Sequence, residues 1–278
     1  MPPRPTSTSD VPARLDEIDE KIHDLLMQRA ALAEMLPVAT PAQEALSLRR
    51  LVARHKGKLA LSGLVGIWRE VLASMPGAAP HAHVFAGSQT GYYRDLARAY
   101  FGSAATIEGH PSASAVIHAC AGDPAAVGLV PPPDSDENQR PWWAQLTPSG
   151  QMGPRVIARL PLVQTKDTQA IAYAIGSVEQ EATGADTSMF ILEAKGDLSR
   201  TKLQALIKQV GLEAQLVAVG RDSARSASRQ HLLEISGFVP HDDSRLGALL
   251  EQAGETIVRL VCVGGYADPL PQPKAARS

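Results

Sequence analysis

Apolar positions recur along the first seventy-five residues with a helical period. Leu15, Ile18, Ile22, Leu25, Leu32 and Leu36 fall at intervals of three, four or seven, one stripe of an amphipathic helix. Asp10 precedes this run as a candidate cap, with Pro12 in the opening turn, where a missing N–H costs little. Pro37 and Pro41 interrupt it. A second helix is predicted over 42–55, with Leu48, Leu51 and Val52 inward and Gly57 as its stop. A third is predicted over 62–75, with Leu64, Val65, Trp68, Val71, Leu72 and Met75 on one face. The segment 76–80, Pro-Gly-Ala-Ala-Pro, reads as a linker.

Beyond it the period changes. Short apolar runs at 83–86, 125–130, 156–163 and 170–175 read as strands, and the stretches 92–100 and 114–121 as helices. Strands alternating with helices predict a small α/β domain with a mainly parallel sheet. From residue 189 the order is strand 189–193, helix 198–210, strands 212–219 and 231–239, helix 244–253 and strand 256–263. That is βαββαβ, the ferredoxin-like arrangement. The expected fold is therefore α plus α/β and multidomain: a tail over 1–10, a three-helix unit over 11–76, a small α/β domain over 83–185 and a ferredoxin-like domain over 186–268.

Composition narrows the function classes. The 278 residues carry 27 basic and 29 acidic side chains, a net charge of -2, and only 4% aromatics. A nucleic-acid binder would carry a basic excess and more stacking platforms. Two cysteines cannot build a disulfide framework, and a reducing cytoplasm is the simplest setting. The first ten residues lack the apolar core of a secretory signal, and no run approaches the roughly 20 apolar residues of a membrane helix. The expectation is a cytoplasmic protein with neither nucleic-acid nor membrane partners.

Two residues stand out chemically. Arg29 lies four after Leu25 and three before Leu32, on the apolar stripe. A guanidinium there suits a carboxylate held at two points, or it snorkels, or it pairs with an internal acid such as Glu44. Glu44 shares a helical face with Leu48, Leu51 and His55, and is either a pocket carboxylate or a first-turn acid favoured by the helix dipole. Together they suggest a polar pocket inside a helical bundle. His81, His83, His110 and His118 read as scattered surface or loop residues, and Trp142-Trp143 as a packing anchor. No metal-ligand cluster or phosphate-cradling loop is legible, so neither metal nor cofactor is expected.

The run from Leu15 to Ala30, with Arg29 near its end, resembles the first helix of the all-helical chorismate mutases. Pro41-Ala42-Gln43-Glu44-Ala45 is similar to their second-helix motif, and Ile67-Trp68-Arg69-Glu70-Val71-Leu72-Ala73-Ser74 to their third. The remainder resembles a shortened prephenate dehydratase followed by an amino-acid-binding ACT domain. Gly87 to Tyr92 matches the dehydratase opening loop, and Val127-Gly128-Leu129-Val130-Pro131 its first-lobe strand.

The mutase resemblance implies the Claisen rearrangement of chorismate to prephenate in aromatic amino-acid biosynthesis. This isomerase chemistry needs no nucleophile, metal or redox cofactor. Arg29 would clamp a substrate carboxylate, Glu44 would hold the substrate hydroxyl, and Ser74 would sit near a carboxylate. The resemblance also implies a homodimer, in which an arginine at the start of the first helix reaches the partner's pocket. Here that position is Pro12, with Arg14 close by. The arginine before the second-helix glutamate is Gln43, and no lysine lies between Lys21 and Lys56. Each lost donor to developing negative charge costs about 10²–10³ in rate, so a weakened mutase is expected.

Two alternatives follow from the same resemblance. One is a non-catalytic sensor whose ACT-like domain binds phenylalanine or tyrosine at its first strand–helix turn, through Gly196, Asp197 and Leu198, and regulates a partner enzyme. The other is a bifunctional mutase/dehydratase. Against the latter, Pro132-Pro133-Asp134-Ser135 and Thr187-Ser188-Met189-Phe190 replace the dehydratase motifs.

Overall fold

The computed structural model describes residues 10–77, 81–85, 90–133, 141–163, 171–195, 198–221 and 228–270. Three helices come first: α1 (Val11–Ala33), α2 (Pro41–Arg54) and α3 (Leu61–Ala73). Thr40 caps α2 by accepting from the Gln43 N–H, while the Gln43 side chain accepts from the Thr40 N–H. This reciprocal box fixes where α2 begins, just before Pro41. Asp10 stands at the N-cap of α1 but makes no capping side-chain bond to it.

The three helices do not form one unit. Val65 and Leu72 of α3 and Leu48 of α2 are buried. By contrast α1 has no buried residue, and Leu25 and Leu32 are 63% and 64% exposed. The expected three-helix unit is corrected on this point: the stripe exists, but among the described residues nothing covers it.

The rest of the chain builds one sheet. Its strands are β1 (His81–Phe85), β2 (Thr106–His110), β3 (Val127–Val130), β4 (Arg155–Leu160), β5 (Ala172–Gly176), β6 (Asp186–Lys195), β7 (Ala214–Arg221), β8 (Ser228–Ser236) and β9 (Ile257–Ala267). Their spatial order is β2-β1-β3-β5-β4-β9-β6-β8-β7. The first three are parallel, the β3–β5 and β5–β4 pairs are antiparallel, and β9-β6-β8-β7 is antiparallel throughout. The mixed α/β class is as expected. The two domains anticipated over 83–185 and 186–268 instead share the sheet, because β9 pairs β4 in parallel through Val156 and Gly264. Gly264 has φ +105, and a Cβ on it would collide with the Val156 backbone, so the junction requires glycine.

Helices α4 (Thr90–Phe101) and α5 (Ala113–Gly122) cover opposite faces of the first half. Ala82, Val84 and Leu129 pack with Tyr93, Ala97 and Tyr100 of α4. Gly128 faces α5, where a Cβ would strike Val116 and Cys120. Helices α6 (Arg200–Gln209) and α7 (Ser244–Ala253) cover one face of the second half, over Phe190, Leu192, Leu233 and Ile235. The other face, with Met189, Ile191, Leu232 and Val263, packs on Trp142 and Trp143. These tryptophans occupy a 3-10 turn, and Trp143 is wholly buried, joining the halves as an apolar anchor. No described helix is long and apolar enough to cross a membrane.

Candidate functional site

The predicted mutase residues do not converge. Glu44, in the first turn of α2, forms an ion pair of 2.5 Å with Nη1 of Arg69 on α3. Arg69 is 5% exposed. Its Nε donates to the Tyr100 carbonyl at 2.9 Å, its Nη2 donates to the same oxygen, and its guanidinium lies 4.2 Å from the centre of the Tyr100 ring. A buried arginine needs this full set of partners, since an uncompensated buried charge is costly. Of the alternatives open for Arg29, pairing with Glu44 is not the one found: the carboxylate turns toward the α/β body.

Arg29 is half-buried, 5.9 Å above the Trp68 ring, and its Nη1 is enclosed without a hydrogen-bond partner among the described residues. It lines neither of the two cavities that Glu44 lines. Ser74 is exposed at the C-cap of α3, and Arg14 is half-buried in the first turn of α1; neither lines those cavities. Of the proposed effector residues, Leu198 is a core residue just before α6, and Gly196 and Asp197 lie outside the described residues.

Further polar contacts latch α2 and α3 to the sheet. Arg49 donates through Nη1 to the carbonyl and hydroxyl of Thr183, and through Nη2 to the Ala185 and Asp268 carbonyls. The Thr40 hydroxyl donates to Glu181 at 3.0 Å. Glu70 accepts from the hydroxyl and backbone N–H of Ser103, and these bonds hold its carboxyl below the usual range. Between the latched helices and the sheet lies a cavity of about 490 Å³, lined mainly by apolar groups with Glu44, Arg69 and His81.

A second, polar cavity of about 380 Å³ opens on the sheet. Arg159 of β4, Thr187 of β6, Glu234 of β8 and Tyr266 of β9 line it. The Tyr173 and Tyr266 hydroxyls both donate to Oε1 of Glu234 at 2.7 Å, so neither occupies its second oxygen. Burial, and then the Glu234 charge, push both phenols well above their usual range. Arg159 sits 6.0 Å from the Tyr266 ring centre, with its Nε buried and without a hydrogen-bond partner among the described residues. A cation and an anion thus line one small cavity beside an aromatic ring. Sequence reasoning missed this site because its members are spread over 108 positions of chain, from Arg159 to Tyr266 counted inclusively. The strand alternation of β8 was the available signal, since it places the charged Glu234 between the buried Leu233 and Ile235.

The residues standing in place of the dehydratase motif are held by the fold. The Thr187 hydroxyl donates to Asp268 at 2.7 Å; the Ser188 hydroxyl contacts Gln180 and Gly237 and accepts from the Val239 N–H.

The histidines read as scattered are partly gathered. His81 and His83 of β1 and His110 of β2 share one face with Glu108, because alternate strand residues point the same way. His118 stays apart on α5, exposed and bonded to the Ser114 carbonyl.

Neither a family model nor a curated protein sequence matches this chain. Among solved structures it is similar to GqqA, described as a quorum-quenching acylase (11% identity, TM-score 0.47, covering 67% of this chain and 94% of that one). It is also similar to prephenate dehydratase from Streptococcus mutans (14%, 0.45, 68% and 98%). A third is the prephenate dehydratase of Arthrobacter aurescens in complex with L-Phe (12%, 0.49, 70% and 92%). These are distant likenesses of fold.

Proposed function

We propose that this chain is a non-catalytic, amino-acid-responsive regulatory protein that works as a homodimer. The observation that carries this reading is that Arg159 and Glu234 line one polar cavity. A free amino acid presents a carboxylate and an ammonium on one carbon. The Arg159 guanidinium suits the first, and the second oxygen of Glu234 suits the second. Tyr266 borders the same cavity, where its ring can meet the ligand's side chain. The engagement of Glu44 by Arg69, and of Thr187 and Ser188 by their neighbours, argues against mutase and dehydratase chemistry within a single chain. The uncovered stripe of α1 supports a second copy as its partner, since Leu15, Ile18, Ile22, Leu25 and Leu32 recur as a helix-pairing seam would.

Calorimetry on the full chain with phenylalanine, tyrosine and a set of other amino acids tests the reading. Binding of one ligand per chain that is lost in Arg159→Gln and in Glu234→Gln supports it. Absence of binding to every amino acid overturns it.

A second reading keeps the mutase. It rests on Arg29, whose enclosed Nη1 lacks a partner among the described residues and which lies on the stripe a second copy would cover. In this reading the pocket forms only between two chains. Turnover of chorismate by wild type that is abolished in Arg29→Ala would establish it; equal background rates would eliminate it.

A further inference from the structure

We infer that the outer edge of the sheet carries a binding site for a divalent transition-metal ion, held by His83, Glu108 and His110. The placement follows from strand geometry. In a strand every second residue faces the same way, so His-x-His at 81–83 and Glu-x-His at 108–110 each put two donors on one face. The parallel register sets His83 opposite Glu108 and His110 one step further, opposite Phe85. Two short patterns, 25 residues apart, thereby become a two-by-two array.

Its distances suit coordination. His83 Nδ1 and His110 Nε2 are 2.9 Å apart, and His83 Nδ1 lies 3.8 Å from Glu108 Oε2. The three ligand atoms all lie within 4.8 Å of one another. Nitrogens bound tetrahedrally to zinc at 2.0–2.1 Å stand about 3.3 Å apart, so the two imidazoles need only open by a few tenths of an ångström. Two imidazoles and one carboxylate form the donor set of an open zinc site, with a fourth position for water. His81 adds an outer contact, its Nε2 lying 3.9 Å from Glu108 Oε2, where it can orient the carboxylate.

The surroundings fit a bound ion rather than a solvated charge cluster. The side chain of His83 is 8% exposed, whereas that of Glu108 is 57% exposed, and β2 is the edge strand. One wall is fixed and buried, and the other opens to solvent as an entry path. A metal would replace the hydrogen bond between His83 Nδ1 and His110 Nε2, each ring then keeping its proton on the other nitrogen. This site is separate from the Arg159–Glu234 cavity and does not depend on the function proposed for it.

The test is titration of the untagged full chain with Zn²⁺ by calorimetry and with Co²⁺ by visible absorption. Wild type is expected to bind one ion per chain and to show the d–d bands of a low-symmetry, four-coordinate cobalt. His110→Ala and Glu108→Gln, both at the solvent side of the edge, are expected to weaken binding by about 10²-fold or more, with unchanged circular dichroism. His118→Ala is expected to bind as wild type does. Absence of binding in wild type, or equal affinity in wild type, His110→Ala and Glu108→Gln, would overturn the assignment.

Discussion

Glu44 of α2 and Arg69 of α3 meet at 2.5 Å, with Arg69 also held against the Tyr100 carbonyl of α4. A residue that resembles a substrate ligand is thereby part of the joint between the helices and the sheet. Replacing it removes a charged hydrogen-bond partner from a buried arginine. Glu44→Gln is expected to lower the unfolding free energy by about 1.5–3 kcal/mol. Urea denaturation measures this, and Glu44→Gln combined with Arg69→Met should recover part of the loss. A Glu44→Gln chain as stable as wild type would mean that the pair does not hold the joint.

The stripe on α1 predicts an oligomer. The helix is 23 residues, about 34 Å, long enough to offer five apolar positions to a second copy. Light scattering after size exclusion should give twice the chain mass for wild type and the single chain mass for Leu25→Glu. A monomeric wild type would remove the dimer from the proposed function.

At the sheet junction, Gly264→Ala places a Cβ against the Val156 backbone at a φ of +105. The strain and the clash together are expected to cost about 3 kcal/mol or more. Thermal unfolding should show a large loss for this variant. Gly247→Ala, on α7 with open space around it, should be neutral or slightly stabilising.

His231 predicts a pH dependence. It is buried on β8, neither ring nitrogen has a hydrogen-bond partner among the described residues, and burial, then the Arg229 charge, hold its pKa below the usual value. His83 is lowered too, by burial and then by His110 and His81. Above about pH 7.5, a unit over the ordinary imidazole value, both imidazoles are essentially neutral whether folded or unfolded, and they contribute almost no slope. As pH falls below that value the unfolded chain takes up protons first, so stability declines until the lowered folded values are reached. Melting temperatures measured from pH 8 to pH 5 should fall on the acid side, and His231→Leu should flatten part of that fall. An equal slope in that variant would sink the assignment to His231.

Much of the fold was legible because local patterning determines it. The period of Leu15, Ile18, Ile22 and Leu25 marks α1, and the βαββαβ order was readable from residue 189 onward. The strand β2 escaped notice because Thr-Ile-Glu-Gly-His carries one large apolar residue and lies at an edge, where burial writes no alternating pattern. The cavity around Arg159 and Glu234 was invisible for a different reason: its walls come from strands that become neighbours only when β9 enters the middle of the sheet.

The sequence by itself determined the helical stripes of α1, α2 and α3 and the βαββαβ order from residue 189 onward. Those properties depend on neighbours within a few positions. Tertiary structure alone decided that Glu44 meets Arg69 and not Arg29, that α1 stays uncovered, and that His83 lies beside Glu108 and His110. Such contacts are fixed by strand order and register, which depend on the packing energy of the whole chain and leave no local mark.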